Sequence, residues 1–194
     1  MIRGFIAIVF AVCFSVNAYS QVPFECNDQF YQVFTFQGQQ LAYDLVSNTF
    51  VIAPNNAGEG YNAVGYRIAD NFAYGLASTG NLLQISADGS VIDLGPVAGL
   101  AGSAQAGDFG PDGLLYIHQN AVVPAEIVGI DVDTVTAVNF VNLSGPDVNF
   151  PDIALNPTNG LFYAVNFSDT PGANPGDLVT IDIVTGTVQY SRTY

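Results

Sequence analysis

The chain contains no lysine and no tryptophan, and its basic side chains are three arginines. Seventeen acidic side chains stand against them, so the formal net charge is −14 at pH 7. A surface this acidic repels phosphate backbones and anionic lipid surfaces, which excludes a nucleic-acid partner from the functions we expect. The same acidity keeps a chain that is 49% hydrophobic soluble.

Histidine and cysteine are equally scarce. His118 is the single histidine, and the cysteines are Cys13 and Cys26. These residues cannot form an ordinary zinc cluster by themselves. A Gly-x-Ser-x-Gly elbow and a lysine-bearing phosphate loop are also missing. We therefore expect a non-enzymatic protein without a cofactor, with His118 at the exposed end of a strand.

The N-terminus has the pattern of an export signal. Arg3 precedes an unbroken apolar run over residues 5–16, and small residues at 18 and 20 fit a cleavage site. The run is shorter than the roughly 20 residues that span a bilayer. We predict a signal peptide at 1–20, a mature domain at 21–194, and a secreted or cell-surface protein that is not inserted in a membrane after cleavage.

Cleavage would remove Cys13 and leave Cys26 as the only cysteine. A single cysteine in an exported chain indicates a buried thiol, a disulfide with another chain, or a disulfide with a cysteine in sequence that is absent here. The repeat described next favours the last of these, a partner that is not in this chain.

A unit of about 45 residues recurs along the sequence. In three copies a tyrosine follows a small residue at the same distance: Tyr74 after Gly65, Tyr116 after Gly107, and Tyr163 after Ala154. Turn pairs such as Asp-Gly separate short apolar segments, and no segment has a helical period. Repeats of this length made of short strands are typical of β-propellers, so we predict an all-β, propeller-like array of four-stranded antiparallel blades. A β-sandwich is the alternative.

Each complete unit contains four predicted strands, and the first unit lacks its innermost strand. The predicted strands are 29–34, 40–45 and 49–53; 62–66, 72–77, 82–86 and 90–94; 105–109, 114–118, 126–132 and 137–143; and 152–156, 161–166, 178–183 and 187–191. This makes about 3.75 blades, which predicts an incomplete propeller truncated at its C-terminus. The alternative is a complete protein that closes by dimerisation or tolerates the gap. The innermost strands are rich in small residues, as a crowded axis requires.

Carboxylates are the only plentiful reactive groups, and they recur near strand ends. Their oxygens suit calcium, and the candidate ligands are Asp131, Asp133 and Asp152. The alternative is that these aspartates cap turns by accepting backbone N–H groups. Asn62, Gln105 and Asp152 also stand near the starts of the three innermost strands, where calcium-dependent propeller lactonases place acidic and amide ligands.

Four segments together resemble a propeller-like domain of unknown function found in secreted bacterial surface or adhesin-like proteins. They are residues 24–33, 60–66, 95–97 and 106–113, and the likeness extends from Val22 to Tyr194. The resemblance implies location and architecture, and it implies that such domains usually continue beyond this chain. It supplies no catalytic residues.

These observations predict a non-enzymatic extracellular or cell-surface propeller module. Its role would be to bind an extracellular glycan or protein, or to form the structural head of a larger surface protein. The alternatives are a calcium-dependent propeller hydrolase or lactonase, and the inactive product of a broken gene.

Overall fold

A computed structural model describes residues 21–34, 38–53, 58–100, 104–119, 125–145, 148–168 and 175–191. The predicted signal peptide lies outside these residues. The described residues form antiparallel sheets and no helix. The strands are β1 (Gln29–Phe34), β2 (Gln39–Asp44), β3 (Thr49–Ala53), β4 (Tyr61–Arg67), β5 (Phe72–Ala77), β6 (Asn81–Ile85), β7 (Val91–Pro96), β8 (Ala106–Phe109), β9 (Leu115–Gln119), β10 (Glu126–Asp131), β11 (Thr136–Asn142), β12 (Ala154–Leu155), β13 (Phe162–Val165), β14 (Leu178–Asp182) and β15 (Thr187–Tyr190).

The sheets are arranged as the four blades of a propeller, which confirms the predicted fold and excludes the sandwich. Blade 1 contains β1-β2-β3, blade 2 β4-β5-β6-β7, blade 3 β8-β9-β10-β11, and blade 4 β12-β13-β14-β15. Neighbouring blades meet mainly through their first strands, β4 against β8 and β8 against β12. Blade 1 has three strands among the described residues, as the sequence predicted.

Small residues allow the inner strands to approach one another closely. A Cβ atom added to Gly107 would stand 2.5 Å from the backbone oxygen of Ala63, and one added to Gly65 would stand 2.9 Å from the Cα atom of Asp108. Real side chains do not tolerate such distances, so β4 and β8 pack backbone against backbone. The predicted crowding at the axis is therefore confirmed for these two strands.

Larger side chains fill the wedges between blades. Tyr74 packs edge-on against Phe109 between blades 2 and 3, and Tyr116 packs against Phe162 between blades 3 and 4. Tyr116 and Phe162 are fully buried. Burying a side chain of this size contributes about 2 to 3 kcal/mol, so these wedges form most of the core.

The connections between blades add hydrogen bonds that cross each boundary. Ala98, after blade 2, donates its N–H to Val135 and accepts the N–H of Ala137, both at 2.9 Å. Ser144, after blade 3, is bonded in the same way to Gly186 and Val188, both at 2.8 Å. Each connection is thus hydrogen-bonded to the start of the outer strand of the next blade.

A repeated turn begins the second strand of every full blade and the first strand of blade 1. The side chains of Asn27, Asp70, Asp112 and Asn159 each accept the N–H two residues ahead. In the full blades the same side chains also bond the tyrosine four residues ahead. This side-chain capping fixes the start of the strand and explains the equal spacing of the tyrosines.

The predicted strands agree with the structure to within about two residues at most ends. The innermost strand of blade 4 is within that margin but is much shorter than predicted: it was predicted over 152–156 and contains only Ala154 and Leu155. Asp152 bonds its carboxylate to the N–H of Ile153, and Asn156 bonds its amide oxygen to the N–H of Thr158. Side chains that capture nearby N–H groups compete with strand pairing, which shortens this strand at both ends.

Candidate functional site

A cavity of about 690 Å³ lies where the four blades converge. Every blade contributes to its wall, and the lining residues are Phe30, Tyr31, Gln32 and Val33 of β1, Asn62 and Val64 of β4, Gln105 just before β8, and Pro151 and Asp152 just before β12. We call this space the axial cavity. Its wall combines aromatic rings, amides and one carboxylate, so it can offer both stacking surfaces and hydrogen-bonding groups to a ligand.

A β-bulge shapes the wall on the side of β4. The pairing of β4 with β5 shifts by one residue between Asn62 and Gly65. Within the bulge Ala63 has a φ of 53°, and its methyl group is buried in the core between blades 2 and 3. A left-handed alanine costs about 1 to 2 kcal/mol, so the surrounding packing must hold it in place. Bulges bend a strand locally, and this one lies where Asn62 and Val64 face the cavity.

Asp152 is the one acidic residue in the wall of the axial cavity, and none of the residues that line it is basic. Loss of water around Asp152 raises the pKa of its carboxyl group. Asp108 of β8 does not line the cavity, but burial raises the pKa of its carboxyl group as well. The charge of Asp152 adds to this rise, and hydrogen bonds from the N–H groups of Leu155 and Phe109 oppose it. These bonds are 2.9 and 2.8 Å long. The cavity therefore favours a neutral or cationic ligand.

The structure brings together some of the predicted site residues and separates others. Asn62, Gln105 and Asp152 line the axial cavity, as their places at the inner strand starts suggested. Asp131 and Asp133 lie at the opposite end of blade 3, because β10 ends where Ile130 pairs with Leu115, away from Gln105.

Asp131 and Asp133 both have roles within the fold. Asp131 accepts the N–H groups of Asp133 and Thr134, which is the turn-capping alternative. Asp133 forms two hydrogen bonds of 2.8 and 2.6 Å with Arg67, and these bonds hold the pKa of its carboxyl group below the usual value. In the part of the chain that the structure describes, no three His, Cys, Asp or Glu side chains cluster closely enough to hold a metal ion.

Arg67 was missed by the sequence analysis, although it is the only lysine or arginine among the described residues. It leaves the end of β4 in blade 2, bonds Asp70 in the following turn at 2.9 Å, and reaches Asp133 in blade 3. The scarcity of basic residues was the available signal, since the single arginine of the described residues has many carboxylates near which it could lie.

His118 is buried, so the prediction that it lies at the surface was wrong. Its exposed fraction is 1%, and its ring centroid lies 4.9 Å from that of Phe150. Neither ring nitrogen makes a hydrogen bond of normal geometry to another described residue. Burial lowers the pKa of His118 to about 4, and the nearby backbone of Phe150 offsets only part of this effect. The segment that leads into blade 4 covers the end of β9, which no property of the strand itself predicts.

Cys26 is exposed and has no disulfide partner among the described residues. It borders a groove of about 400 Å³ between blades 1 and 2, together with Phe24, Tyr31 and Tyr66. Phe24 packs edge-on against both tyrosines, with ring centroids 4.7 and 6.1 Å away. The disulfide with a partner outside this chain stays a prediction.

The chain belongs to the family described as Repeat of unknown function (DUF6923), whose model matches residues 30–193. No curated protein is significantly similar to it in sequence. Membership gives the repeat a family and leaves its function open. None of the described segments forms a helix that is long and apolar enough to cross a membrane.

Two solved structures show the same fold at low sequence identity. The hydrazine synthase of Kuenenia stuttgartiensis matches with a TM-score of 0.50 and 15% identity over 88% of this chain and 50% of that one. An auxiliary nutrient binding protein from Bacteroides ovatus matches with a TM-score of 0.61 and 16% identity over 86% of this chain and 39% of that one. This chain thus spans half or less of the structures it resembles, and the likeness concerns the fold alone.

Proposed function

We propose that this protein is an exported, non-enzymatic binding module that takes an extracellular glycan or protein in the axial cavity. The observation that supports this most directly is the convergence of all four blades on one cavity lined by aromatic and amide side chains. The apolar N-terminal run supports export, and the name of the Bacteroides neighbour agrees with a binding role. The resemblance to surface proteins supports a place at the head of a larger assembly.

The test is binding by the purified protein to arrays of glycans and of peptides, followed by calorimetry. Replacing Asn62 and Gln105 with leucine removes two hydrogen-bonding groups from the cavity wall, and we expect a loss of affinity of tenfold or more. The matched control is Gln189→Leu, which changes an exposed amide on β15. Failure to bind either array, or equal binding by all variants, would contradict the proposal.

A calcium-dependent hydrolase or lactonase is the second candidate. The observation that favours it is the presence of Asn62, Gln105 and Asp152 in one cavity, because amide and carboxylate oxygens are calcium ligands. Calcium binding at these residues would raise the melting temperature, and a chelator or Asp152→Asn would remove the gain. A melting temperature unchanged by calcium and by EDTA, with no metal found by mass spectrometry, would dismiss this candidate.

A further inference from the structure

Among the described residues, the tyrosine-bearing strand lies at an edge of its sheet in blade 1 and in no other blade. In blades 2, 3 and 4 the strand that bears the repeated tyrosine has a neighbour on both sides. In blade 1 this strand is β1, which pairs with β2 on one side and with no described strand on the other. The outward N–H and C=O groups of β1 are therefore available to another strand.

The axial cavity runs along this free edge. Phe30, Tyr31, Gln32 and Val33 are consecutive, and all four border the cavity. Successive residues of a strand point to opposite faces of the sheet, so a space beside one face would touch only every second residue. A space that touches all four lies beside the backbone edge itself. The opposite wall is β4, so the cavity occupies the place of a missing inner strand.

We propose that the free edge of β1 binds an extended peptide segment of a partner protein, which adds to blade 1 as its fourth strand. This proposal rests on the proposed binding function and specifies its ligand. Strand addition is a known way to recognise peptides, because main-chain hydrogen bonds supply affinity and the neighbouring walls select side chains. β1 contains six residues and is about 20 Å long, so it offers pairing for a peptide of similar length.

The walls define the chemistry of this peptide. The inner strands that occupy the same place in blades 2 and 3 carry small residues at their points of closest approach, among them Ala63, Gly65 and Gly107. Asp152 makes the wall negative, and none of the residues that line the cavity is basic. We therefore expect a segment that is rich in small residues and that carries no acidic side chain.

Peptides copied from this chain provide defined probes. The peptide 61–67 has small central residues and one arginine, whereas 104–109 carries Asp108 and 152–156 carries Asp152. We expect the peptide 61–67 to bind at least fivefold more tightly than the other two. The preference for peptide 61–67 over the two acidic peptides should shrink in the variant Asp152→Asn. It should persist in Asp28→Asn, which removes an exposed charge outside the cavity.

Backbone methylation separates strand addition from other modes of binding. Two versions of peptide 61–67 are made, each with methyl groups on alternate amides, so that each lacks the N–H donors of one edge. We expect at least tenfold weaker binding from the version that lacks the donors facing β1. Hydrogen exchange should show new protection in residues 30–33 when the unmethylated peptide is bound. Equal binding by both methylated peptides, protection elsewhere, or no binding by any of the three peptides would overturn the proposal. A glycan that binds in the cavity while the peptides do not would overturn it as well, and would leave the binding function intact.

Discussion

The hydrogen atom that takes the place of a side chain at Gly107 determines how closely blades 2 and 3 approach each other. Gly107→Ala would place a methyl carbon 2.5 Å from the oxygen and 2.7 Å from the carbonyl carbon of Ala63. Both are backbone atoms, so relief requires the two inner strands to separate. We expect a loss of about 2 to 3 kcal/mol in the free energy of unfolding, measured by urea denaturation.

The control for this substitution is Gly160→Ala. Gly160 has a φ of 73° and nothing within 4 Å of an added Cβ, so alanine there costs only the backbone strain of about 1 kcal/mol. If Gly107→Ala were no more costly than Gly160→Ala, close packing of β4 on β8 would not be essential.

His118 gives the protein a source of instability in acid. Its pKa is about 4 in the folded state, against 6.5 for an unperturbed histidine, so the unfolded chain binds the proton more readily. The stability associated with the neutral ring is fully present above pH 6.5 and is lost as the pH falls toward 4. A pKa shift of this size corresponds to a loss of about 3 kcal/mol in the free energy of unfolding.

The matched variant is His118→Leu, since leucine occupies the position two residues after the tyrosine in blade 2. At pH 7 we expect its free energy of unfolding to equal or exceed that of the wild type. Between pH 6.5 and 4 this free energy should fall much less in the variant than in the wild type. Denaturant titrations at several pH values measure this. An unchanged pH profile would show that other groups cause the acid sensitivity.

At the scale of strands and turns, Arg67 is the clearest link between elements of different blades. It joins the end of β4 to the turn after β10 through two bonds to Asp133, and it also bonds Asp70. Because Asp133 is largely exposed, solvent weakens the pair. We expect Arg67→Met to reduce the free energy of unfolding by about 1 kcal/mol in low salt, and by less in 0.5 M NaCl.

Arg67→Lys is the informative companion variant. Lysine keeps the charge but cannot donate in parallel to both oxygens of Asp133, so we expect an intermediate stability. If the lysine variant matched the wild type, the charge alone would matter and the bidentate geometry would not.

The strands could be predicted closely because the repeat marks them with local chemistry. A small residue, an Asx turn and a tyrosine recur in each unit, and all three act within a few residues of chain. The tyrosine spacing nevertheless hides a difference in pairing. Tyr74 and Tyr163 lie opposite Gly65 and Ala154, whereas Tyr116 lies opposite Asp108. Register depends on turn geometry and neighbouring blades, which equal spacing in sequence does not specify.

The candidate site was predictable in part for the same reason. Asn62, Gln105 and Asp152 could be found because they begin equivalent strands. The contribution of β1 could not, because it follows from how a three-stranded blade sits beside complete ones. The burial of His118 was equally hidden, since Phe150 covers it from a segment more than 30 residues away along the chain.

At the scale of the whole molecule, the acidity of the chain opposes its compactness. The chain of 194 residues has a formal net charge of −14, and its described residues include one arginine to balance the carboxylates. Screening reduces repulsion between exposed carboxylates, and it also weakens the pair between Arg67 and Asp133. Many repulsions outweigh one attraction, so added salt should stabilise the fold.

We expect the melting temperature at pH 7 to rise by a few degrees between 10 mM and 500 mM NaCl, which corresponds to about 1 kcal/mol for a domain of this size. Near pH 3.5 the rise should shrink, because protonation neutralises many of the carboxylates. Arg67→Met should show a larger rise than the wild type, since it has lost the one ion pair that salt weakens. A melting temperature that falls with salt at pH 7 would mean that specific ion pairs, and not general repulsion, dominate the electrostatics of this propeller.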